Sequence, residues 1–201
     1  MKNKWMNREE FRTHCRSHSV DPLLRLLLTS DGTLIQHLES LLLGPIGITV
    51  EAQREVSIDT EPAASMGVPA GEKGIERTVW LTSRAPSKAS ASGAEIGESV
   101  SPGKGERKIF AVSLFPLSKL KPDLSQEILL GLKPIGRILE MQRLPTRRDQ
   151  LEISQLALPE VAEGFGLPRN ELLWARRYRL NISDQVLGVL SEVFSPSLSS
   201  F

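Results

Sequence analysis

Cysteine is almost missing from this 201-residue chain. With Cys15 alone, no intrachain disulfide can brace the fold, and a reducing, cytoplasmic compartment is the expected setting. No apolar run approaches the ~18 residues a membrane-spanning helix needs. The opening MKNKWMNREEFRTHCRSH lacks the apolar centre of a signal peptide. Charge of one sign is missing as well. Lys and Arg number 25 against 24 Asp and Glu, for a net charge of +1, so no global field favours nucleic acid or an anionic membrane. Internal repeats are absent, and so are the P-loop, GxSxG, CxxC and HExxH motifs; GFG at 164–166 is too short for a dinucleotide fingerprint. Histidine is scarce. His14 and His18 are one helical turn apart with Cys15 between them, but His37 is the only other histidine. No second cluster completes the tetrahedral set of a structural zinc site, so no metal is expected.

What is present is ordinary for a globular protein: 40% hydrophobic and 24% charged residues. That is enough for one domain spanning 1–201 with a substantial core. Residues 1–20 read as a loosely held arm or short helix. Asp21 and Pro22 make a strong helix start, cap then first-turn proline, and Leu23, Leu24 and Leu26–Leu28 make that helix apolar nearly all round. Thr33 and Gln36 resemble a capping box for a second helix. It carries Leu34, Leu38, Leu41 and Leu42 on one face and ends at Gly44-Pro45. The two form a helical hairpin, on pattern alone a packing element.

Strands follow. Ile46–Ile58 alternates in hydrophobicity as one strand or two, and GIERTVWLT at 74–82 is the next. Between them, 60–73 is rich in Pro, Gly, Ala and Ser and reads as a loop. Ile75, Arg77, Val79 and Leu81 share a strand face, so Arg77 is a basic residue among apolar neighbours; the plain expectation is a snorkelling edge arginine. Residues 84–107 have little to bury beyond Ile96 and Val100, and are expected to be a disordered insert in a hairpin loop. KIFAVSLFP at 108–116 resumes the sheet. Pro122–Leu132 reads as a helix, a turn follows around Pro134, and a short helix begins at Ile135 or Gly136. Thr146–Leu158 has strand character and 160–170 reads as a loop. Leu172–Pro196 reads as a hairpin whose second arm is apolar on both faces. One residue breaks that arm. Glu192 shares a face with Leu190 and Phe194, and a carboxylate there is costly unless paired or used; its plain expectation is a strand-end side chain reaching solvent. Helices, then about six strands with hairpin-like connections, indicate an α+β fold with a largely antiparallel sheet.

Several stretches together are similar to the chorismate pyruvate-lyase family: DPLLRLLL and TLIQHLE, REVSI at 54–58, IERTVWLT, LFPLSKL at 114–120, LLGLKPIGRIL at 129–139, LPTRRDQLEI at 144–153 and LLWARRYRLNISDQVLGVLSEVF. The resemblance runs from Asp21 to Pro196 apart from 84–107, and it lies in the order and spacing of these pieces. It implies helices covering a ligand pocket, and cleavage of chorismate to 4-hydroxybenzoate and pyruvate without cofactor or metal, feeding quinone or phenolic-lipid synthesis. It implies a monomer or weak oligomer with no nucleic-acid partner. It further implies that Arg77 grips the ring carboxylate, that Glu192 meets the ring hydroxyl, that the backbone of Ile135 binds on the carboxylate side, and that Leu34 covers the pocket, which would make the helical hairpin a lid.

One departure stands out. The family pattern has a Gly-Arg pair in the strand before the proline, and here Ala111 and Val112 occupy it. Chorismate is a dianion, and one guanidinium serves two carboxylates poorly. Arg143, Arg147, Arg177 and Arg179 are the candidates to replace the missing arginine. The alternative function is a non-catalytic, sensor-type ligand-binding domain of the same fold, as in GntR-type regulators, although the stretch before Asp21 is too short for a DNA-binding domain. A purely structural Arg77–Glu192 ion pair would favour that alternative.

Overall fold

A computed structural model describes residues 4–83 and 105–199. Seven strands form one sheet in the order β1-β5-β6-β7-β4-β3-β2, and every neighbouring pair is antiparallel. The strands are β1 (Met6–Asn7), β2 (Ile46–Ser57), β3 (Lys73–Ser83), β4 (Glu106–Pro116), β5 (Thr146–Ala157), β6 (Leu172–Ile182) and β7 (Gln185–Phe194). The helices are α1 (Arg8–Ser17), α2 (Pro22–Thr29), α3 (Leu34–Leu42), α4 (Thr60–Met66), α5 (Pro122–Leu130), α6 (Ile135–Met141) and α7 (Pro159–Gly164). The seventh strand, against about six expected, is the two-residue β1. It hydrogen-bonds to β5 and leads into α1, where Asn7 and Glu10 form a capping box. The N-terminal segment is therefore held, with Phe11 buried edge-on against Trp174 at 5.4 Å.

Both faces of the sheet are covered. On one, Leu24, Leu27 and Leu28 of α2, Ile35 and Leu38 of α3, Leu124 and Ile128 of α5, and Ile138 and Leu139 of α6 join the strands in the main core. On the other, Val161 and Ala162 of α7 pack on Trp80, while Ala63 and Met66 of α4 pack with Ile58. Helices α4 and α7 correct the loop expected at each place. A count of small and breaking residues misleads there, because prolines in a first helical turn leave no intrahelical bond unmade. Pro62 and Pro159 sit in such turns, and Gly67 closes α4 in the left-handed region. Asp21 caps α2 as read, with Oδ1 accepting from the Leu23 and Leu24 amides at 2.9 and 3.0 Å. Thr33 precedes α3 without a side-chain cap bond, so the expected capping box is not formed. The segment expected to be disordered, 84–107, lies outside the described residues except at its end, where Glu106 and Arg107 already pair in β4. Gly188 is required by a close approach, since a Cβ there would stand 2.5 Å from the Leu114 carbonyl oxygen.

Candidate functional site

Strand register gathers the site. In one row across the sheet, Arg77 of β3 stands beside Ser113 of β4, which faces Leu190 of β7, which faces Tyr178 of β6. In the next row Val79, Ala111, Glu192 and Arg176 follow in the same way. Above these rows a cavity of about 250 Å³ is roofed by Leu34 and Ile35 of α3 and by Ile135, Gly136 and Leu139 of α6. Its walls are mostly aliphatic. The four residues singled out from the sequence, Leu34, Arg77, Ile135 and Glu192, all line it.

Neither polar member reaches solvent. Arg77 is 2% exposed and Glu192 6%, which corrects both the snorkelling and the solvent-reaching expectation. They do not pair with each other. Arg77 Nη1 donates to the Lys133 carbonyl at 3.2 Å, and Nη2 to those of Gly131 and Lys133 at 3.0 and 3.2 Å. Its Nε has no partner among the described residues. Burial pulls the Arg77 pKa below the ordinary arginine value. The arginine thus fixes the loop leading into α6 and keeps one buried donor unused. The Arg137 and Ile138 amides return to the Pro134 carbonyl, and the first amides of α6, at Ile135 and Gly136, open the helix at the cavity wall.

Glu192 has two partners that sequence reading missed. Arg176, fully buried, donates from Nε to Oε2 at 2.6 Å, and the Tyr178 hydroxyl donates to Oε1 at 3.0 Å. Arg176 Nη1 also reaches the carbonyls of Leu27 at 2.6 Å and Ser30 at 3.1 Å, at the end of α2. The carboxylate is therefore anchored to the helical hairpin as well as to the sheet. Burial, reinforced by the Glu192 charge, pushes the Tyr178 phenol up to about 12. Alternation along LLWARRYRL puts Arg176 and Tyr178 on one face, but regular pairing around Ser183-Asp184 would set Ala175 opposite Glu192; a register shift between Leu180 and Asn181 brings Arg176 there instead.

None of the four arginines considered as replacements lines the cavity. Arg177 and Arg179 lie on the opposite face, bonded to Glu152 and Asp149 at 2.7 Å each. Arg147 pairs with Asp149 on that same side at 3.5 Å, and Arg143 is exposed. The second cation that lines the cavity, besides Arg77, is Arg148. A bulge explains the miss. Gln150 adopts φ 48°, and the β5–β6 register shifts between Asp149 and Glu152. Counting by twos back from the core residues Ile153 and Leu151 lands on Arg147, but the extra residue inverts the alternation and turns Arg148 inward. Arg148 Nη1 donates to the Asp31 carbonyl at 2.5 Å, and its Nε has no partner among the described residues. Burial works against the Arg148 charge, yet Tyr178 and Glu192 outweigh it and the pKa is raised. His14 and His18, the metal candidates of the sequence, stack at 4.1 Å beside Trp174. Among the described residues no group of three or more His, Cys, Asp or Glu could hold a metal ion. No helix there is long and apolar enough to cross a membrane.

Solved structures share this architecture. The ligand-binding domain of a putative GntR-family transcriptional regulator from Bordetella bronchiseptica aligns at TM-score 0.56 and 15% identity, over 75% of this chain and 86% of that one. The effector domain of PhnF from Mycobacterium smegmatis aligns at 0.59 and 12%, over 83% and 91%. A second PhnF structure from that organism aligns at 0.59 and 12%, over 84% of this chain and 66% of that one. Identities this low establish a common fold alone. No curated protein matches the sequence. Residues 28–201 match the model described as chorismate pyruvate-lyase, Rv2949c-like, and the chain belongs to that family.

Proposed function

We propose that this protein is a chorismate pyruvate-lyase, converting chorismate to 4-hydroxybenzoate and pyruvate for quinone or phenolic-lipid precursor synthesis in the cytoplasm. One observation carries the reading: a buried arginine without a carboxylate partner, Arg77, faces the same small aliphatic cavity as a buried, oriented carboxylate, Glu192. The volume, about 250 Å³, is just below the ~300 Å³ at which sites for drug-sized ligands begin, and suits a single substituted ring. Arg77, assisted by the Ile135 amide, holds the ring carboxylate. Glu192 accepts a hydrogen bond from the C4 hydroxyl across the ring. Leu34, Val79 and Leu139 enclose the ring and exclude water.

The reaction needs no external reagent. The C3–O ether bond breaks and its electron pair leaves with oxygen. The C4 hydrogen departs as a proton, and its bonding pair closes the third ring double bond. The proton ends on the methylene carbon of the enolpyruvyl group, completing pyruvate. Aromatisation drives the step, and the protein supplies orientation and charge stabilisation. Incubating the purified protein with chorismate and following 4-hydroxybenzoate by chromatography tests the reading. Stoichiometric 4-hydroxybenzoate and pyruvate are expected. Tight binding of chorismate without turnover would sink the lyase assignment and leave a sensor-type domain.

A further inference from the structure

Two acidic side chains line the cavity, and each is already matched. Glu192 is held by Arg176, and Glu140 accepts from Arg137 Nη1 at 3.0 Å. Two cations also line it, Arg77 and Arg148. Neither has a carboxylate within ion-pair distance among the described residues, and each keeps a buried Nε without a partner. A buried charge left uncompensated is costly. Arg77 is such a charge; Arg148 is half-buried and has only Glu192 and Tyr178 nearby to offset it, a carboxylate already bound by Arg176, so two cations facing one cavity leave room there for further negative groups.

From this we infer that Arg148 reads the second carboxylate of the substrate, the one on the enolpyruvyl side chain. The inference rests on the lyase reading for the identity of the ligand. The layout of the sheet supports it. Along the strands Arg148 is level with Gly188 of β7, four residues from Glu192, and Arg77 with Leu190, two residues from it. Across the sheet Arg77 is on β3, Glu192 on β7 and Arg148 on β5, so in strand order the carboxylate lies between the two cations, two strands from each. At ~4.8 Å per strand that is ~10 Å of sheet to either side. Chorismate has its ring carboxylate at C1, its hydroxyl across the ring at C4, and its ether at C3, next to C4. With C1 toward Arg77 and the C4 hydroxyl at Glu192, the C3 substituent continues beyond Glu192 toward β5. The bond from Nη1 to the Asp31 carbonyl holds the guanidinium at the cavity wall.

The test compares a dianion with a product that lacks the second carboxylate. Arg148→Gln should raise the chorismate KM roughly tenfold to a hundredfold, the range of a lost charge-assisted hydrogen bond. The Kd for 4-hydroxybenzoate, measured by calorimetry, should change less than about threefold, and its retention also reports a folded site. Arg148→Lys should recover part of the chorismate loss, because the charge remains without the planar fork. Equal losses for chorismate and 4-hydroxybenzoate, or no loss for either, overturn the assignment of Arg148 while the lyase reading stands. A wild-type protein that binds neither compound overturns both.

Discussion

Arg77 and Glu192 face one space but are wired differently, and their variants should diverge accordingly. On the lyase reading Arg77→Ala removes the grip on the substrate carboxylate, and it frees the Gly131 and Lys133 carbonyls. The chorismate KM and the 4-hydroxybenzoate inhibition constant should rise together, each by roughly thirtyfold or more. An unchanged inhibition constant would remove Arg77 from the product site. Glu192→Gln keeps the shape and an acceptor oxygen but strips the charge opposite Arg176. If the carboxylate moves the C4 proton, kcat should fall about a hundredfold with little effect on product binding; retained kcat limits it to orienting the hydroxyl. Tyr178, the chain's single tyrosine, allows a cleaner measurement. Its phenol is raised from 10.0 to about 12. The unfolded chain therefore loses this proton first as pH rises, and stability present below pH 10 should be lost as pH climbs to about 12. The linked loss is on the order of 2 to 3 kcal/mol. Tyrosinate absorbance reads this one residue, and a midpoint near 10 in the folded protein would contradict the burial argument.

At the scale of elements, the bulge in β5 is what aims Arg148. Gln150 holds φ 48°, which glycine adopts freely and a β-branched residue strongly resists. Gln150→Gly should leave stability within about 1 kcal/mol, whereas Gln150→Val should cost about 1 to 2 kcal/mol and weaken chorismate binding, read by urea unfolding and calorimetry. Equal behaviour of the two would show that the bulge does not depend on this residue's backbone. The same bulge marks the limit of sequence reading. Alternation identified the inward faces of β3 and β7 correctly, because Arg77 and Glu192 stand in runs with no inserted residue between them and their apolar neighbours. It failed across Gln150 because nothing in TRRDQLEI marks where one extra residue is accommodated; the partner strand decides it. Arg176 was missed for a related reason. Its role is set by what lies opposite on β7 and by carbonyls at the end of α2, neither of which is local. The order of helices and strands was legible from periodicity and caps. The short helices α4 and α7 were not, because their stability comes from burying Met66, Val161 and Ala162 on the sheet rather than from their own composition.

Taken whole, the molecule is a sheet with its cavity on one face, roofed by two helical units that are tied down separately. One unit, α2 and α3, is fastened by Arg176 at Leu27 and Ser30 and by Arg148 at Asp31. The other, α5 and α6, is fastened by Arg77 at Gly131 and Lys133. Where they meet, the ties are of another kind: Arg137 bridges Glu39 at 2.6 Å and Glu140 at 3.0 Å, and Gln36 reaches Glu140 at 2.6 Å, all partly exposed. The roof is thus pinned to the sheet by arginine-to-carbonyl bonds and joined along its middle by ion pairs that salt can screen. A ligand leaving between the two units must part that middle seam, so its residence time should shorten with ionic strength. Raising salt from about 0.05 to about 0.5 M cuts the screening length roughly threefold. The dissociation rate of 4-hydroxybenzoate, followed by stopped flow, should then rise several-fold, and Arg137→Gln should reproduce the rise at low salt and remove most of the dependence. A rate indifferent to both would place the exit elsewhere. Counterions outside the cavity would on this account set how long its occupant stays.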